Sequence, residues 1–254
     1  MQLRATARRI AAVGDIHCTR GSEGTLQPLF ARAAEEADIL LLLGDLTDYG
    51  QPEEAEVLVK ELSAVARRLP IIAVLGNHDF ESGREGDVRE IVSAAGVLIL
   101  DGDAHEIDGV GFAGTKGFAG GFGRRQLAPW GEKMIKDFVQ ESIDEALKLE
   151  SALARLRTEH RVVLLHYSPI HATIEGEPEP IAPFLGSSRL EEPIDRYRAT
   201  VVFHGHAHHG SPEGRTKGNV PVYNVALPLL KRSANGAAPI RLFELPAAVA
   251  SNGS

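Results

Sequence analysis

The chain has 254 residues and a formal net charge of −8 at pH 7, with 43% hydrophobic and 24% charged residues. This composition is ordinary for a globular protein with a sizeable core. The negative charge and the absence of a long Lys/Arg cluster argue against general nucleic-acid binding, because phosphate backbones bind cations. No apolar stretch reaches the roughly 18 residues that a membrane span needs. The single cysteine, Cys18, excludes an intrachain disulfide and is typical of a reducing compartment, so we predict a cytoplasmic protein that does not bind membranes.

Apolar runs and helical patterns alternate along the first half of the chain, which is the order of a βαβαβ unit. Later, Asp108-Gly109 is typical of a hairpin turn, and a long stretch of good helix formers contains neither Gly nor Pro. The predicted elements are strands at 10–13, 39–43 and 71–75 with helices at 26–36 and 52–68 between them, a helix at 87–95, a strand at 97–100, a hairpin at 106–111 and a helix at 132–157.

The second half is predicted to contain strands at 162–165, 201–203, 220–225 and 240–245. A polar, Pro-rich stretch at 168–188 has no periodicity, and loops of this length are usually functional or disordered. Because it directly follows a strand that carries a candidate ligand, we interpret it as an active-site loop. Residues 247–254 are predicted to be a frayed tail. Since no interdomain linker is evident, we predict a single domain over 1–254 with its core at about 8–245.

Short motifs rich in Asp, His and Asn follow the ends of predicted strands. The carboxyl ends of strands form the binding crevice of open α/β sheets, so we expect these side chains to converge. Carboxylate, imidazole and amide groups suit divalent Mn, Fe, Zn, Ni or Co, and a pair of such ions about 3.5–4 Å apart can polarise a phosphoryl group. The motifs are Asp15-Ile16-His17, Gly44-Asp45-Leu46-Thr47-Asp48, Gly76-Asn77-His78-Asp79, His166 and Gly205-His206-Ala207-His208.

In this order the motifs resemble those of the calcineurin-like metallophosphoesterases, D-x-H, G-D-x-x-D, G-N-H-D/E, H and G-H-x-H, over roughly residues 8–225. The resemblance implies an α/β fold, a four-layer α/β/β/α sandwich with mixed β-sheets. It also implies two divalent metal ions, with Mn and Fe favoured. The implied ligands are Asp15, His17 and His208 for the first metal, Asp45 as a bridge between both, and Asn77, His166 and His206 for the second.

The same resemblance implies catalytic roles for His78 and Asp48. His78 would contact the phosphate or protonate the leaving oxygen, and Asp48 would hydrogen-bond His78, orient its ring and favour its protonated form. Hydrolysis would proceed by in-line attack of a hydroxide that bridges the two metals, which make hydroxide available near neutral pH.

The residue after Asp48 separates branches of this family. Protein serine/threonine phosphatases carry Asp-Arg-Gly, whose Arg grips the phosphate, whereas this chain has Asp48-Tyr49-Gly50. The motifs are instead similar to those of bacterial small phosphodiesterases, which implies a small soluble or nucleotide-like substrate. A phosphomonoesterase is the alternative, and a non-catalytic metal-binding scaffold is less favoured because every motif position is filled. The sequence does not indicate the oligomeric state.

Three side chains outside the motifs are candidate substrate contacts. Lys116 lies in a Gly-rich segment at 114–123, His171 lies in the 168–188 stretch, and Arg189 directly follows it. The Gly-rich segment lacks the Gly-Lys-Ser/Thr ending of a phosphate-binding loop, so we interpret it as a loop near the cleft.

Overall fold

The computed structural model describes residues 8–234 and 238–245, and within them the strands form two sheets. The strands are β1 (Arg8–Val13), β2 (Ile39–Leu43), β3 (Ile71–Val74), β4 (Val97–Ile99), β5 (Asp103–Ile107), β6 (Val110–Gly114), β7 (His160–Leu164), β8 (Val201–His204), β9 (Glu213–Arg215), β10 (Pro221–Asn224) and β11 (Arg241–Leu245). The α-helices are α1 (Gln27–Glu36), α2 (Pro52–Leu62), α3 (Glu85–Ala94), α4 (Lys133–Arg155), α5 (Glu191–Arg196) and α6 (Leu227–Ser233).

Both sheets are mixed. The first has the order β11-β1-β2-β3-β4, in which β1 to β4 are parallel and β11 pairs antiparallel with β1. The second has the order β5-β6-β7-β8-β10-β9, with parallel central strands and antiparallel strands at its two edges. The parallel centres place the carboxyl ends of successive strands at the same edge of each sheet.

The two sheets pack face to face and are covered by helices on their outer faces. Leu41 of β2 and Phe203 of β8 belong to one buried cluster between the sheets. Phe30 of α1 packs in a second cluster on the outer face of the first sheet, and Leu149 of α4 packs in a third on the outer face of the second. This is the predicted four-layer α/β/β/α sandwich with mixed sheets, and the fold prediction is confirmed.

The boundary of α2 differs most from its prediction, because the helix ends at Leu62 rather than at 68. The chain continues in tighter turns, in which Val65 N donates to Leu62 O at 2.9 Å and Arg68 N donates to Val65 O at 2.8 Å. Such turns keep nearly the same spacing of apolar residues as an α-helix. The pattern therefore continues although the helix does not.

Several short elements were not predicted from the sequence. Strand β9 and helices α5 and α6 have three to seven residues, too few to show a period. The 168–188 stretch contains two 3₁₀ helices, His171–Ile174 and Glu179–Phe184. The predicted tail at 247–254 lies outside the described residues. Among the described helices, none has the length and apolarity that crossing a membrane requires.

Candidate metal centre

The motif residues lie at one end of the two sheets. Strands β1, β2 and β3 are parallel neighbours, and each is followed by one of the first three motifs. His166 follows β7, and the His206 motif follows the adjacent strand β8. The two sheets are joined there, because His206 N donates to both carboxylate oxygens of Asp15 at 2.9 and 3.0 Å. All five motifs therefore meet at one site.

Two motif glycines are required by close packing inside the site. A Cβ atom on Gly76 would lie 2.2 Å from Asp45 Oδ1, and one on Gly44 would lie 2.4 Å from His166 Nδ1. Gly44 also has a φ of +80°, a conformation that glycine adopts without strain. The bare Cα atoms thus let the ligand side chains approach one another.

Four site residues that are not glycine adopt left-handed backbone conformations. The φ values are +54° for Asp15, +46° for His17, +46° for Asp45 and +68° for His206. This conformation costs about 1–2 kcal/mol per residue, and such strain is concentrated at functional sites. The turns follow directly after strand ends. The placement of these side chains therefore lowers the stability of the fold.

A first group of candidate ligands contains Asp15, His17 and His208, whose ligand atoms lie within 4.8 Å of one another. His208 Nε2 is 2.9 Å from Asp15 Oδ1. His17 Nε2 is buried and has no hydrogen-bond partner among the described residues. A buried, unpartnered ring nitrogen is unfavourable, and a metal ion at this position would satisfy it. The group therefore fits a divalent cation.

A second group contains Asp45, His166 and His206, again with ligand atoms within 4.8 Å of one another. Asn77 Oδ1 joins it at 2.9 Å from His166 Nε2. Asp45 reaches both groups, since Oδ1 is 3.4 Å from His166 Nε2 and Oδ2 is 3.7 Å from His17 Nε2. One carboxylate is thus placed where it could bridge two ions.

The charges of the second group are strongly coupled. Burial opposes the charged form of His166, but the neighbouring Asp45 carboxylate outweighs burial and raises the pKa of His166 to about 9. Burial likewise opposes ionisation of Asp45, yet His166 holds the pKa of Asp45 well below its usual range. Burial lowers the pKa of His206 to about 3. Metal binding at these atoms would release the proton of His166, because imidazole ligates in its neutral form.

Hydrogen bonds from the outer ring nitrogens orient three of the histidines. His166 Nδ1 is 3.0 Å from Leu43 O, and His17 Nδ1 is 3.0 Å from Asp48 Oδ1. Such partners fix the tautomer and direct Nε2 toward a metal. His78 Nδ1 is 2.6 Å from Asp48 O, the main-chain carbonyl. The side chain of His78 is 38% exposed and so is accessible to a substrate.

Asp48 hydrogen-bonds His78, as the resemblance implied, but through its main-chain carbonyl and not through its carboxylate. Asp48 Oδ1 is 3.9 Å from His78 Nδ1 but only 3.0 Å from His17 Nδ1. The carboxylate is engaged by His17, while the main chain of the same residue accepts the hydrogen bond from His78. Asp48 thus contacts both rings through different atoms.

Asp79 is a structural centre of the site to which the sequence assigned no role. Its buried carboxylate accepts hydrogen bonds from Leu46 N at 3.2 Å, from Thr47 N at 2.8 Å and from Gly76 N at 2.8 Å. Burial and the nearby Asp45 charge raise the pKa of Asp79 to about 6. Asp79 therefore joins the second motif to the third. Its position at the end of Gly76-Asn77-His78-Asp79 was visible in the sequence, but its partners were not.

Glu145, in the interior of α4, is a second residue missed from the sequence. Its buried carboxylate accepts hydrogen bonds from Gly117 N at 2.8 Å and from the Thr115 hydroxyl. These contacts hold the turn that carries Lys116. The sequence gives no signal of these contacts, because Glu145 is an ordinary helical residue about 30 positions after the Lys116 turn.

The three candidate substrate contacts lie in different places. Lys116 Nζ lies over three aromatic rings, 5.4 Å from Phe80, 4.8 Å from Phe118 and 5.4 Å from Tyr167. The Tyr167 ring is 4.4 Å from the ring of His206, so Lys116 is close to the second group. Burial lowers the pKa of Lys116.

His171 and Arg189 are not brought to either group. His171 is exposed and lines a cavity of about 810 Å³. Among the residues that the structure describes, none from the two ligand groups lines this cavity. Arg189 Nη2 donates to Leu127 O at 2.8 Å. The 168–188 stretch does contact the site elsewhere, since His206 Nε2 is 3.2 Å from Phe184 O.

A family model described as calcineurin-like phosphoesterase matches residues 8–210. The chain belongs to this family. Calcineurin-like phosphoesterases use two divalent metal ions, and the two groups of Asp and His side chains are candidates to hold them. The chain is therefore a hydrolase of phosphoric esters that depends on metal, as the motifs predicted.

Two solved structures illustrate the likeness in fold. The phosphopantetheinyl hydrolase from Mycobacterium tuberculosis has 15% identity and a TM-score of 0.67, with 99% of this chain and 100% of that chain covered. A putative 5′-nucleotidase from Staphylococcus aureus has 14% identity and a TM-score of 0.53, with 86% of this chain and 48% of that chain covered. At these identities the likeness shows the fold alone. No curated protein matches the chain.

Proposed function

We propose that this calcineurin-like phosphoesterase is a phosphodiesterase that acts on a small substrate. The observation that carries the proposal is Tyr49, which stands where the protein phosphatases of the superfamily place a phosphate-gripping Arg. Tyr49 is 59% exposed, and its main-chain N–H donates to Glu54 Oε2 at 2.9 Å. A neutral phenol at this position gives no ion pair to a terminal phosphate.

The charge of the ester explains why this position matters. A phosphomonoester at neutral pH carries close to two negative charges, whereas a diester carries one. Lys116 and Arg232 are cationic side chains close to the ligand-bearing loops, and Lys116 Nζ donates to Gly117 O at 3.0 Å. Arg232 is already engaged by two carbonyls, His208 O at 2.6 Å and Pro228 O at 3.2 Å. Because both cations already have carbonyl partners, the single negative charge of a diester is the better match.

The side chains of the site would have different roles in hydrolysis. Two bound divalent cations would polarise the phosphoryl group and supply hydroxide near neutral pH. The first group and the second group would each hold one of them, with Asp45 shared. His78, oriented by the Asp48 carbonyl, would assist departure of the alcohol. Lys116 would contact a non-bridging phosphate oxygen.

Several further attributes are part of the same proposal. Oxygen and nitrogen ligands without thiolate support Mn or Fe, with Zn, Ni and Co as alternatives. Cys18 is buried, and burial raises the pKa of its thiol to about 12, so it is unsuited to ligation or redox chemistry. We also propose a cytoplasmic location and a small-molecule partner rather than nucleic acid, which the single cysteine and the net charge of −8 support.

The test compares bis-p-nitrophenyl phosphate with p-nitrophenyl phosphate as substrates of Mn²⁺-loaded protein. A higher kcat/KM on the diester is expected, and a higher value on the monoester would overturn the proposal in favour of a phosphomonoesterase. Tyr49→Arg restores the missing cation and should shift the ratio toward the monoester. Tyr49→Gln, which adds no charge, is the matched control and should leave the ratio near that of the wild type.

A further inference from the structure

Four aromatic rings form a connected series beside the metal centre. The Tyr167 ring is 4.4 Å from the ring of His206, the Phe118 ring is 5.9 Å from that of Tyr167, and the Phe138 ring is 5.0 Å from that of Phe118. The Phe184 ring completes the series, 6.2 Å from that of Phe138. We call Tyr167, Phe118, Phe138 and Phe184 the aromatic arc.

The Phe184 end of the aromatic arc is exposed and apolar, and the Phe184 carbonyl lies 3.2 Å from His206 Nε2. Met134 lies one turn before Phe138 on α4 and is 82% exposed, and Phe184 is 56% exposed. Ile135 and Ile181 are exposed as well. Farther along α4 the same face is buried at Ser142, Glu145 and Leu149, so the exposed apolar residues lie at the start of the helix. Large exposed apolar side chains that lie close to an active site are typical of a binding surface.

A cation lies over the Phe118 and Tyr167 rings of the aromatic arc. Lys116 Nζ lies 4.8 Å from the centre of the Phe118 ring and 5.4 Å from that of Tyr167. Candidate metal sites, an ammonium group and an exposed apolar surface therefore lie next to one another. That arrangement matches a ligand with an anionic phosphate at one end and an extended apolar group at the other.

We propose that the aromatic arc binds an extended apolar substituent of the phosphate ester, so that the substrate is an amphiphilic alkyl or acyl phosphodiester. The proposal rests on the proposed function for its reaction. It specifies that the small substrate is alkyl-like rather than nucleotide-like. The rings of the arc are inclined to one another by 53°, 56° and 77°, and its exposed border is aliphatic. A flexible chain can follow such a surface, whereas a nucleobase prefers a parallel stacking face.

The experiment compares octyl p-nitrophenyl phosphate with methyl p-nitrophenyl phosphate, both below the micellar concentration, on Mn²⁺-loaded protein. Burial of only two methylenes should raise kcat/KM about tenfold for the octyl ester. Phe184→Ala and Met134→Ser should bring the octyl-to-methyl ratio back toward one. Both residues are exposed, so neither change is expected to prevent folding. Leu147→Ala, an exposed change elsewhere on α4, is the control and should preserve the ratio.

Calorimetric binding of octyl phosphate, methyl phosphate and adenosine monophosphate separates this inference from the proposed function. Tighter binding of octyl phosphate, with a more negative heat-capacity change, supports the arc even if no diester is hydrolysed. If diesters are hydrolysed with an octyl-to-methyl ratio of kcat/KM near one, the proposed role of the aromatic arc is overturned but the proposed phosphodiesterase activity is not. Tighter binding of adenosine monophosphate than of octyl phosphate also overturns it, as does self-association that Phe184→Ala abolishes.

Discussion

Removing the charge of Asp48 should weaken metal binding rather than the chemical step. Asp48 Oδ1 is 3.0 Å from His17 Nδ1, whereas His78 is held by the main-chain carbonyl, which a side-chain substitution keeps. Loss of an outer partner of a ligating histidine typically lowers metal affinity 10–100-fold, or about 1.4–2.7 kcal/mol.

The size of the effect should depend on the substitution. In Asp48→Asn the amide oxygen can still accept the hydrogen bond from His17, and the side chain of Asp48 is 26% exposed, so solvent already screens its charge. We therefore expect about a tenfold loss of affinity for the first metal. Asp48→Ala removes the acceptor as well, and we expect a loss nearer to 100-fold.

The assay is a titration of chelator-treated protein with Mn²⁺, followed by calorimetry and by the return of activity. At saturating metal, kcat of Asp48→Asn should recover to near that of the wild type. Asp87→Asn, which alters an exposed Asp on α3, is the control. Unchanged metal affinity together with a kcat that stays low and depends on the leaving group would refute the reasoning. That result would show that the carboxylate acts through His78.

Three further results are expected. Asp45→Asn should lower metal occupancy and activity together, because the shared carboxylate neutralises both ions; full occupancy by elemental analysis would contradict the bridging role. His78→Ala should retain both metals while kcat falls by roughly 10² to 10⁴, more on alkyl than on p-nitrophenyl esters; equal losses would leave only contact with the phosphate. In metal-free protein the pKa of His166 is raised from 6.5 to about 9, so its stabilising contribution is complete below about pH 6.5 and is lost as the pH rises through about 9. Tm of chelator-treated protein should fall across that window, and a Tm that stays constant there would contradict the ion pair with Asp45.

The convergence of the candidate ligands could be predicted because the sequence shows where the strands end. Buried parallel strands appear as apolar runs, and Asp15, Asp45 and His166 each follow such a run. The βαβαβ alternation in the first half of the chain was predicted as well. The short strand β9 and helix α6 have no such signature, because a few residues cannot display a period.

Contacts between distant side chains could not be predicted in the same way. Asp48 lies three residues after Asp45, and nothing in the sequence indicates that its carboxylate pairs with His17 while its carbonyl pairs with His78. Glu145 reaches the Lys116 turn across the interface between α4 and the second sheet. Such pairings depend on the relative placement of layers, which hydrophobic periodicity does not encode.

The central claim is that hydrolysis of the phosphate ester requires two metal ions held by these side chains. Its most direct test is the activity of chelator-stripped protein on bis-p-nitrophenyl phosphate, measured as Mn²⁺ is added and as bound metal per chain is counted. We expect negligible activity without metal and full activity only as the second ion binds. Activity in stripped protein, or activity that is already complete with one ion per chain, would contradict the account.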